Sequence, residues 1–148
     1  MKINIINGPN LNLLGSREPE KYGKMPFETC FNMLKIRFPD VVFNHYQSNV
    51  EGELINEIHN SANSFDGIIL NAGGYTHTSV ALHDAIAAII TPVVEVHITN
   101  VFAREEFRHK DIISGSCIGT ISGFGMDSYR LAVEALLEIC EVKNKTNE

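Results

Sequence analysis

The chain has 148 residues, of which 44% are hydrophobic and 20% charged, and these proportions are typical of one globular domain with a buried core. A net charge of −6 without a run of Lys or Arg argues against a nucleic-acid partner, because phosphate binding needs a concentrated basic surface. The N-terminal apolar run is too short for a signal peptide and no apolar stretch reaches about 18 residues, so we expect a cytoplasmic protein with no membrane partner.

Short β-branched runs alternate along the chain with segments of helical periodicity. Strands and helices that alternate in this way form parallel sheets with helices on both faces. The sequence therefore predicts an α/β, flavodoxin-like, doubly wound sheet in a single domain over residues 1–148. The five predicted strands are 2–7, 41–46, 67–71, 93–99 and 117–122.

Helices are predicted between these strands from apolar residues at helical spacing. Ser48, followed three residues later by Glu51, predicts a capping box at the start of the second of them. The segment 80–90 is apolar nearly all round, which indicates cover on a second side, for example by another subunit. The end of the chain, about 142–148, is predicted to be a frayed tail. The apolar positions are Phe27, Phe31, Leu34 and Phe38, then Leu54, Ile55 and Ile58, and finally Tyr129, Ala132, Val133, Leu136, Leu137 and Cys140.

The three cysteines, Cys30, Cys117 and Cys140, are widely spaced and include no CxxC pair. This arrangement predicts neither a disulfide framework nor a zinc ribbon. We expect buried thiols in a reducing compartment.

Most of the unusual polar residues follow the carboxyl ends of the predicted strands. Ligands of doubly wound sheets bind at that edge, where the loops converge and helix N-termini point inward. The sequence contains neither GxGxxG nor GxxxxGK[ST], which argues against a dinucleotide or nucleoside triphosphate. The segments at the edge are NGPNLNLLGSREPEKYG, NAGGYTHTS, HITNVFAREEFRH and GFGMDSY.

The loop after the first strand spans 17 residues, 8–24, where such connections usually have about 2 to 6. Its charged part, about 16–24, lies between Gly15 and Gly23 and is predicted to be a hinged lid; an exposed surface loop is the alternative. Arg17 precedes Tyr22 by five residues, and a cation about 4 Å from a phenolate stabilises it by about 4 kcal/mol at an effective dielectric of about 20. Tyr22 is therefore a candidate base.

Other candidates lie on the remaining loops of this edge. Glu95 and His97 point to the same side of a strand, so the carboxylate can orient the imidazole, although a strand-end histidine is often structural. His77 and Asp84 are a weak candidate for metal ligation. Two further arginines, at positions 104 and 108, would share a face if their segment is helical and could bind an anion or further favour the phenolate; a solvated face is the alternative.

These groups suit proton abstraction next to a carbonyl, followed by loss of a leaving group. The residues alone favour a metal-free lyase or isomerase acting on a small anionic substrate. Two other classes use the same edge or surface: a binding module for FMN or a phosphoryl group, and a subunit that serves only as an assembly scaffold.

In order along the chain, NGPNLNLLGSREPEKYG, NAGGYTHTSVALHDA, EVHITN, REEFRH and SGFGMDSY together resemble type II 3-dehydroquinate dehydratases. The resemblance implies a flavodoxin-like subunit, a homododecamer of four trimers, and a lyase that uses no metal, Schiff base or other cofactor. Its reaction would be the reversible anti-elimination of water from 3-dehydroquinate to 3-dehydroshikimate through an enolate, in the shikimate pathway or in quinate breakdown.

The resemblance also implies roles for individual residues. Tyr22 would be the base, activated by Arg17, and His97 beside Glu95 would be the general acid. The remaining roles are Asn10 holding a water on the enolate oxygen, Asn71 and the backbone at Ile98 and Thr99 binding the substrate carboxylate, His77 and Arg108 binding ring hydroxyls, and Asp84 reaching a neighbouring subunit's site.

Three positions depart from the pattern of that family. Ala72 stands in place of the usual proline and is expected to loosen the turn before Gly73, and Thr99 replaces a serine and can keep its contact through the amide or hydroxyl. His83 replaces a common arginine and lacks its permanent charge. None of the three removes a catalytic group.

Overall fold

A computed structural model describes residues 1–146 and contains a single five-stranded sheet in the order β2-β1-β3-β4-β5. All four neighbouring pairs are parallel. This order is that of flavodoxin-like sheets, so the predicted doubly wound α/β fold is confirmed. The strands are β1 Lys2–Asn7, β2 Val42–Gln47, β3 Gly67–Asn71, β4 Val93–His97 and β5 Gly119–Ser122.

The strand bounds follow from which residues can pair across the sheet. β1 and β3 have the predicted bounds, and every residue of the two strands except Lys2 is buried in the centre of the sheet. β4 ends at His97, two residues earlier than predicted, since His97 is the last residue that pairs with β5. β5 begins at Gly119, two residues later than predicted, since Gly119 is the first residue that pairs with β4.

Two core layers cover the two faces of the sheet. Helices α2 and α5 pack with Ile3, Ile5 and Val96 on one face, and α3 and α4 pack with Ile6 and Leu70 on the other. Alternate residues of β1 thus enter opposite layers, as strand geometry requires. The helices are α1 Pro19–Tyr22, α2 Phe27–Arg37, α3 Glu51–Ser61, α4 Val80–Ala87 and α5 Asp127–Thr146.

The predicted capping box at α3 is wrong. The helix begins at Glu51, so Ser48 lies too early to cap it, and its hydroxyl accepts a hydrogen bond from Val50 N at 2.9 Å and donates one to the Glu53 carboxylate. Ser48 therefore stabilises the turn that leads into α3.

Two residues at the ends of the apolar 80–90 segment are exposed. Val80 and Ile90, which flank the apolar α4 segment, are 60% and 94% exposed, so the predicted second cover by another subunit stays a prediction. α5 continues through most of the predicted 142–148 tail, whose last two residues lie outside the described part of the chain. Among residues 1–146 no helix combines the length and apolarity needed to cross a membrane.

Candidate active site

A cavity of about 160 Å³ lies at the carboxyl edge of the sheet. Nine of the eleven predicted site residues line it, and only Glu95 and Asp84 do not. The edge chosen from the sequence is therefore where the polar loops meet. The nine residues are Asn10, Arg17, Tyr22, Asn71, His77, His97, Ile98, Thr99 and Arg108.

The floor of the cavity forms where the loops after β1 and β3 touch. Gly8 N donates to the Asn71 carbonyl at 2.7 Å, and a Cβ on Gly8 would lie 2.6 Å from the Ala72 carbonyl oxygen. Only glycine permits this approach. Ala72 itself is fully buried and its carbonyl accepts from Tyr75 N, so this turn is hydrogen-bonded without the proline.

The charged segment 16–24 contains the short helix α1. Pro19 occupies the first helical turn, where its missing N–H costs nothing. Gly15 and Gly23 on either side have positive φ angles of 95° and 78°, and Glu18 is held at φ 37°, a region that side chains other than glycine rarely adopt. No residue of α1 is fully buried, although Tyr22 packs against the core. Lid motion stays a prediction.

Tyr22 is hydrogen-bonded to an arginine that the sequence ranked second. Arg104 Nη1 donates to the Tyr22 hydroxyl at 2.9 Å and to Thr99 Oγ1 at 3.2 Å. Arg17 instead lies over the face of the Tyr22 ring, 5.3 Å from its centroid, and its Nε is 3.3 Å from Glu18. The shared helical face predicted for the two later arginines is wrong, because they fall in and beside two separate 3₁₀ turns.

His97 and Glu95 form a buried pair on β4. His97 Nε2 lies 2.7 Å from Glu95 Oε1, and Glu95 has no exposed surface. The hydroxyls of Thr76 and Thr120 donate to the two oxygens of the same carboxylate, each at 3.1 Å. Burial opposes ionisation of Glu95, but the hydrogen bond and charge of His97 outweigh it and hold the pKa of Glu95 below its usual value.

Asp111, which no pattern in the sequence singled out, adjoins this pair. Its Oδ2 lies 3.9 Å from His97 Nε2, and burial together with the charge of Glu95 raises the pKa of Asp111. Asp111 comes from the loop before β5, and no spacing in the sequence links it to β4. Within residues 1–146, Asp111, Glu95 and His97 are the one set of His, Cys, Asp and Glu side chains compact enough to hold a metal ion.

His77 and Asp84 do not form a metal site. His77 Nδ1 is 2.7 Å from the Lys110 carbonyl, and its ring stacks 6.4 Å from that of His97. Asp84 lies on the exposed surface of α4 beside His83, outside the cavity.

Asn71 and Arg108 line other parts of the cavity with restrained side chains. Asn71 Oδ1 accepts from Gly73 N at 3.2 Å, and Arg108 Nε donates to Glu105 at 2.8 Å. Asn10 has a left-handed backbone, and its N–H donates to Asn49 Oδ1 at 2.9 Å. The cavity therefore presents mostly hydrogen-bond donors, which suit an anionic ligand.

Sequence relatives of this chain point to one family. Residues 1–137 match the family model described as "Dehydroquinase class II". A protein of Exiguobacterium sp. named 3-dehydroquinate dehydratase is 55% identical over 139 residues, 93% of this chain and 95% of that protein. One of the same name from Campylobacter jejuni subsp. doylei is 50% identical over 147 residues, 97% and 92% of the two chains.

Solved structures give the same result. The type II dehydroquinase of Butyrivibrio crossotus superposes with a TM-score of 0.89 at 44% identity, covering 92% of this chain and 97% of that one. That of Propionibacterium acnes gives 0.87 at 34% identity, covering 91% and 94%. On both the sequence and the structural matches, the chain belongs to the class II dehydroquinase family.

Proposed function

We propose that this protein catalyses the reversible dehydration of 3-dehydroquinate to 3-dehydroshikimate, a step of the shikimate pathway. Relatives that share half of its residues over nearly their whole length bear the name of that activity. The single observation that carries the proposal is the contact of the Tyr22 hydroxyl with the Arg104 guanidinium, in a cavity that also exposes His97. The same cavity thus contains Tyr22, which is suited to remove a proton, and His97, which is suited to protonate a leaving hydroxyl.

Tyr22 acts as the base. As a phenolate it removes a proton from the carbon next to the ketone, and the electron pair becomes the enolate. Charge-assisted hydrogen bonds to an ionised oxygen are stronger than those to a neutral one, so the donor from Arg104 favours the phenolate. Arg17, over the face of the ring, adds further positive charge and stabilises the transition state.

His97 acts as the general acid. Collapse of the enolate expels the hydroxyl group from the neighbouring carbon, and a proton from the imidazole completes the water molecule. Glu95 is a buried carboxylate whose hydrogen bonds favour its ionised form, so it orients the imidazole and stabilises its positive charge. The sum of the steps is one water lost per substrate, with base and acid exchanged in the reverse direction.

The other cavity residues bind the substrate. Asn71 and the backbone at Ile98 and Thr99 take the carboxylate, because these residues line the cavity and amide N–H groups can donate to a carboxylate. Asn10 holds a water on the enolate oxygen. His77 and Arg108 take ring hydroxyls, and both side chains are already held by hydrogen bonds to neighbouring groups. The binding energy of these contacts offsets the cost of ordering the lid segment.

The working assembly is proposed to be a dodecamer of four trimers, in which Asp84 enters a neighbouring subunit's site. This agrees with the exposure of Asp84 outside its own cavity and of the apolar side chains of Ile90, Phe102 and Phe107. Light scattering coupled to gel filtration measures the subunit number directly. The protein is proposed to work in the cytoplasm without a cofactor, and its three cysteines form no disulfide.

The decisive experiment is an absorbance assay for the conjugated enone of the product. The purified protein should convert 3-dehydroquinate to 3-dehydroshikimate at a rate that a metal chelator does not change. An inactive oligomer would instead support the scaffold alternative, and flavin absorbance in the purified protein would support the FMN-binding one.

A further inference from the structure

We propose that the buried hydroxyl of Tyr129 is a positioning group, which fixes the direction of the Asn71 side-chain amide so that its nitrogen is presented to an acceptor oxygen of the substrate. This inference rests on the proposed function and extends it to a residue outside the cavity. Tyr129 lies on α5, has no exposed surface, and is not needed for proton transfer.

Tyr129 belongs to a chain of four hydrogen bonds that runs from the cavity through the core. Gly73 N lies 3.2 Å from Asn71 Oδ1, and Asn71 Nδ2 lies 3.0 Å from the Tyr129 hydroxyl. That hydroxyl is 2.8 Å from Asn7 Oδ1, and Asn7 Nδ2 is 3.1 Å from His45 Nε2. Both asparagines are almost completely buried, so water cannot replace these bonds.

The direction of this series of hydrogen bonds follows from the first bond, between Gly73 and Asn71. The backbone N–H of Gly73 can only donate, so the atom of Asn71 that faces it must be the oxygen. Asn71 therefore turns its nitrogen toward Tyr129. A side-chain amide nitrogen carries two hydrogens, and the bond to Tyr129 uses one of them. The other is left for a ligand in the cavity that Asn71 lines.

Each later bond is determined by the one before it. Because the Tyr129 oxygen accepts from Asn71, its single hydrogen goes to the oxygen of Asn7. Asn7 then turns its nitrogen to His45 Nε2, which must accept and therefore carries no proton. His45 packs with ring centroids 4.3 Å from Phe27 and 5.6 Å from Phe31, and burial there lowers the pKa of His45, which favours the uncharged ring.

Burial also raises the pKa of Tyr129, so its hydroxyl keeps the hydrogen that the chain requires. Without that hydroxyl, the nitrogen of Asn71 and the oxygen of Asn7 would lose their common partner. The Asn71 amide could then rotate away from the geometry in which it donates to the substrate carboxylate. Because this donor acts on a group that does not react, its loss weakens binding more than it slows the chemical step.

The test is Tyr129→Phe, with Tyr46→Phe on the adjacent edge strand β2 as the matched loss of a hydroxyl. We expect Tyr129→Phe to raise the KM for 3-dehydroquinate about tenfold, as one lost hydrogen bond would, with kcat changed less than about threefold. Tyr46→Phe should change neither value by more than about twofold. Thermal melting of each variant shows whether it is folded. An unchanged KM in folded Tyr129→Phe, or a fall in kcat alone, overturns the proposal.

A second measurement on the unaltered protein applies even if Tyr129→Phe does not fold. Nitrogen-15 spectra of the His45 ring at neutral pH should show Nε2 unprotonated and the proton on Nδ1. A proton on Nε2 reverses the last bond of the chain and overturns the proposal. Inactivity of the unaltered protein toward 3-dehydroquinate would refute the proposed function instead, and the ring spectrum would still test the chain.

Discussion

Replacing Arg104 by glutamine tests whether this guanidinium is what makes Tyr22 a base. Arg104 Nη1 is 2.9 Å from the Tyr22 hydroxyl, and the arginine side chain is only 12% exposed, so solvent screens the pair weakly. With the charge centre about 4 Å from the phenolate oxygen and an effective dielectric of about 20, the attraction is about 4 kcal/mol, which corresponds to about a thousandfold in rate. Glutamine keeps a donor but removes the charge.

The assay is the initial rate of enone formation for Arg104→Gln, with Arg130→Gln as the control. Arg17 lies over the same ring and compensates in part, so we expect kcat to fall by about 10² to 10³. Arg130 is in exposed ion pairs on α5, and its loss should change kcat by less than about twofold.

A double-mutant cycle with Tyr22→Phe then shows whether Arg104 acts through the phenol. Tyr22→Phe alone should reduce turnover to a small residual rate while substrate analogues still bind. If Arg104 acts through Tyr22, adding Arg104→Gln to that background should cause little further loss of the residual rate. A kcat for Arg104→Gln within tenfold of the parent's would refute the reasoning. So would a fall in kcat that is as large when Arg104→Gln is added to Tyr22→Phe as when it is made in the parent.

Three further predictions concern stability and reactivity. The pKa of Asp111 is raised in the folded state, so this carboxyl contributes stability below its unfolded pKa and loses that contribution as the pH rises. Asp111→Asn should therefore stabilise the protein against urea at pH 7 and less so at pH 4. An equal effect at both pH values would contradict this. Gly8→Ala should cost about 1 to 3 kcal/mol in urea unfolding because its Cβ meets the Ala72 carbonyl, whereas Gly52→Ala on α3, with open space around it, should be neutral or stabilising. Burial and the charge of Asp127 raise the pKa of Cys30 to about 11, so at pH 8 only about one in a thousand of its thiols is ionised, and labelling followed by mass spectrometry should find it far slower than a model thiol.

The fold, and the sheet edge that carries the site, could be predicted from the sequence. β1 and β3 are short runs rich in isoleucine, each followed by a glycine-containing turn, so their bounds could be predicted. In a parallel sheet every strand points the same way, so residues that follow different strands meet without any knowledge of side-chain contacts. This rule alone predicted that Tyr22 and His97 lie at the same cavity.

Individual partners within the site could not be predicted in the same way. Arg17 is near Tyr22 in the sequence, yet the hydrogen bond comes from Arg104, 82 residues away. The contact depends on how two irregular loops fold over the sheet edge, and neither loop has a periodicity that fixes side-chain direction. Asp111 was missed for the same reason, since its loop meets β4 only in the tertiary structure.

The proposed acid and the proposed base lie on parts of the molecule that differ in burial. His97 and Glu95 belong to a fully buried strand, and Asn71 is held by the chain through Tyr129. Tyr22 belongs to a four-residue helix without a buried residue. We therefore expect the substrate to bind first against the buried His97 and Asn71, and the predicted lid that carries Tyr22 to close over it afterwards. The Arg104 contact then joins these two parts, because its guanidinium reaches from the loop after β4 to the Tyr22 hydroxyl.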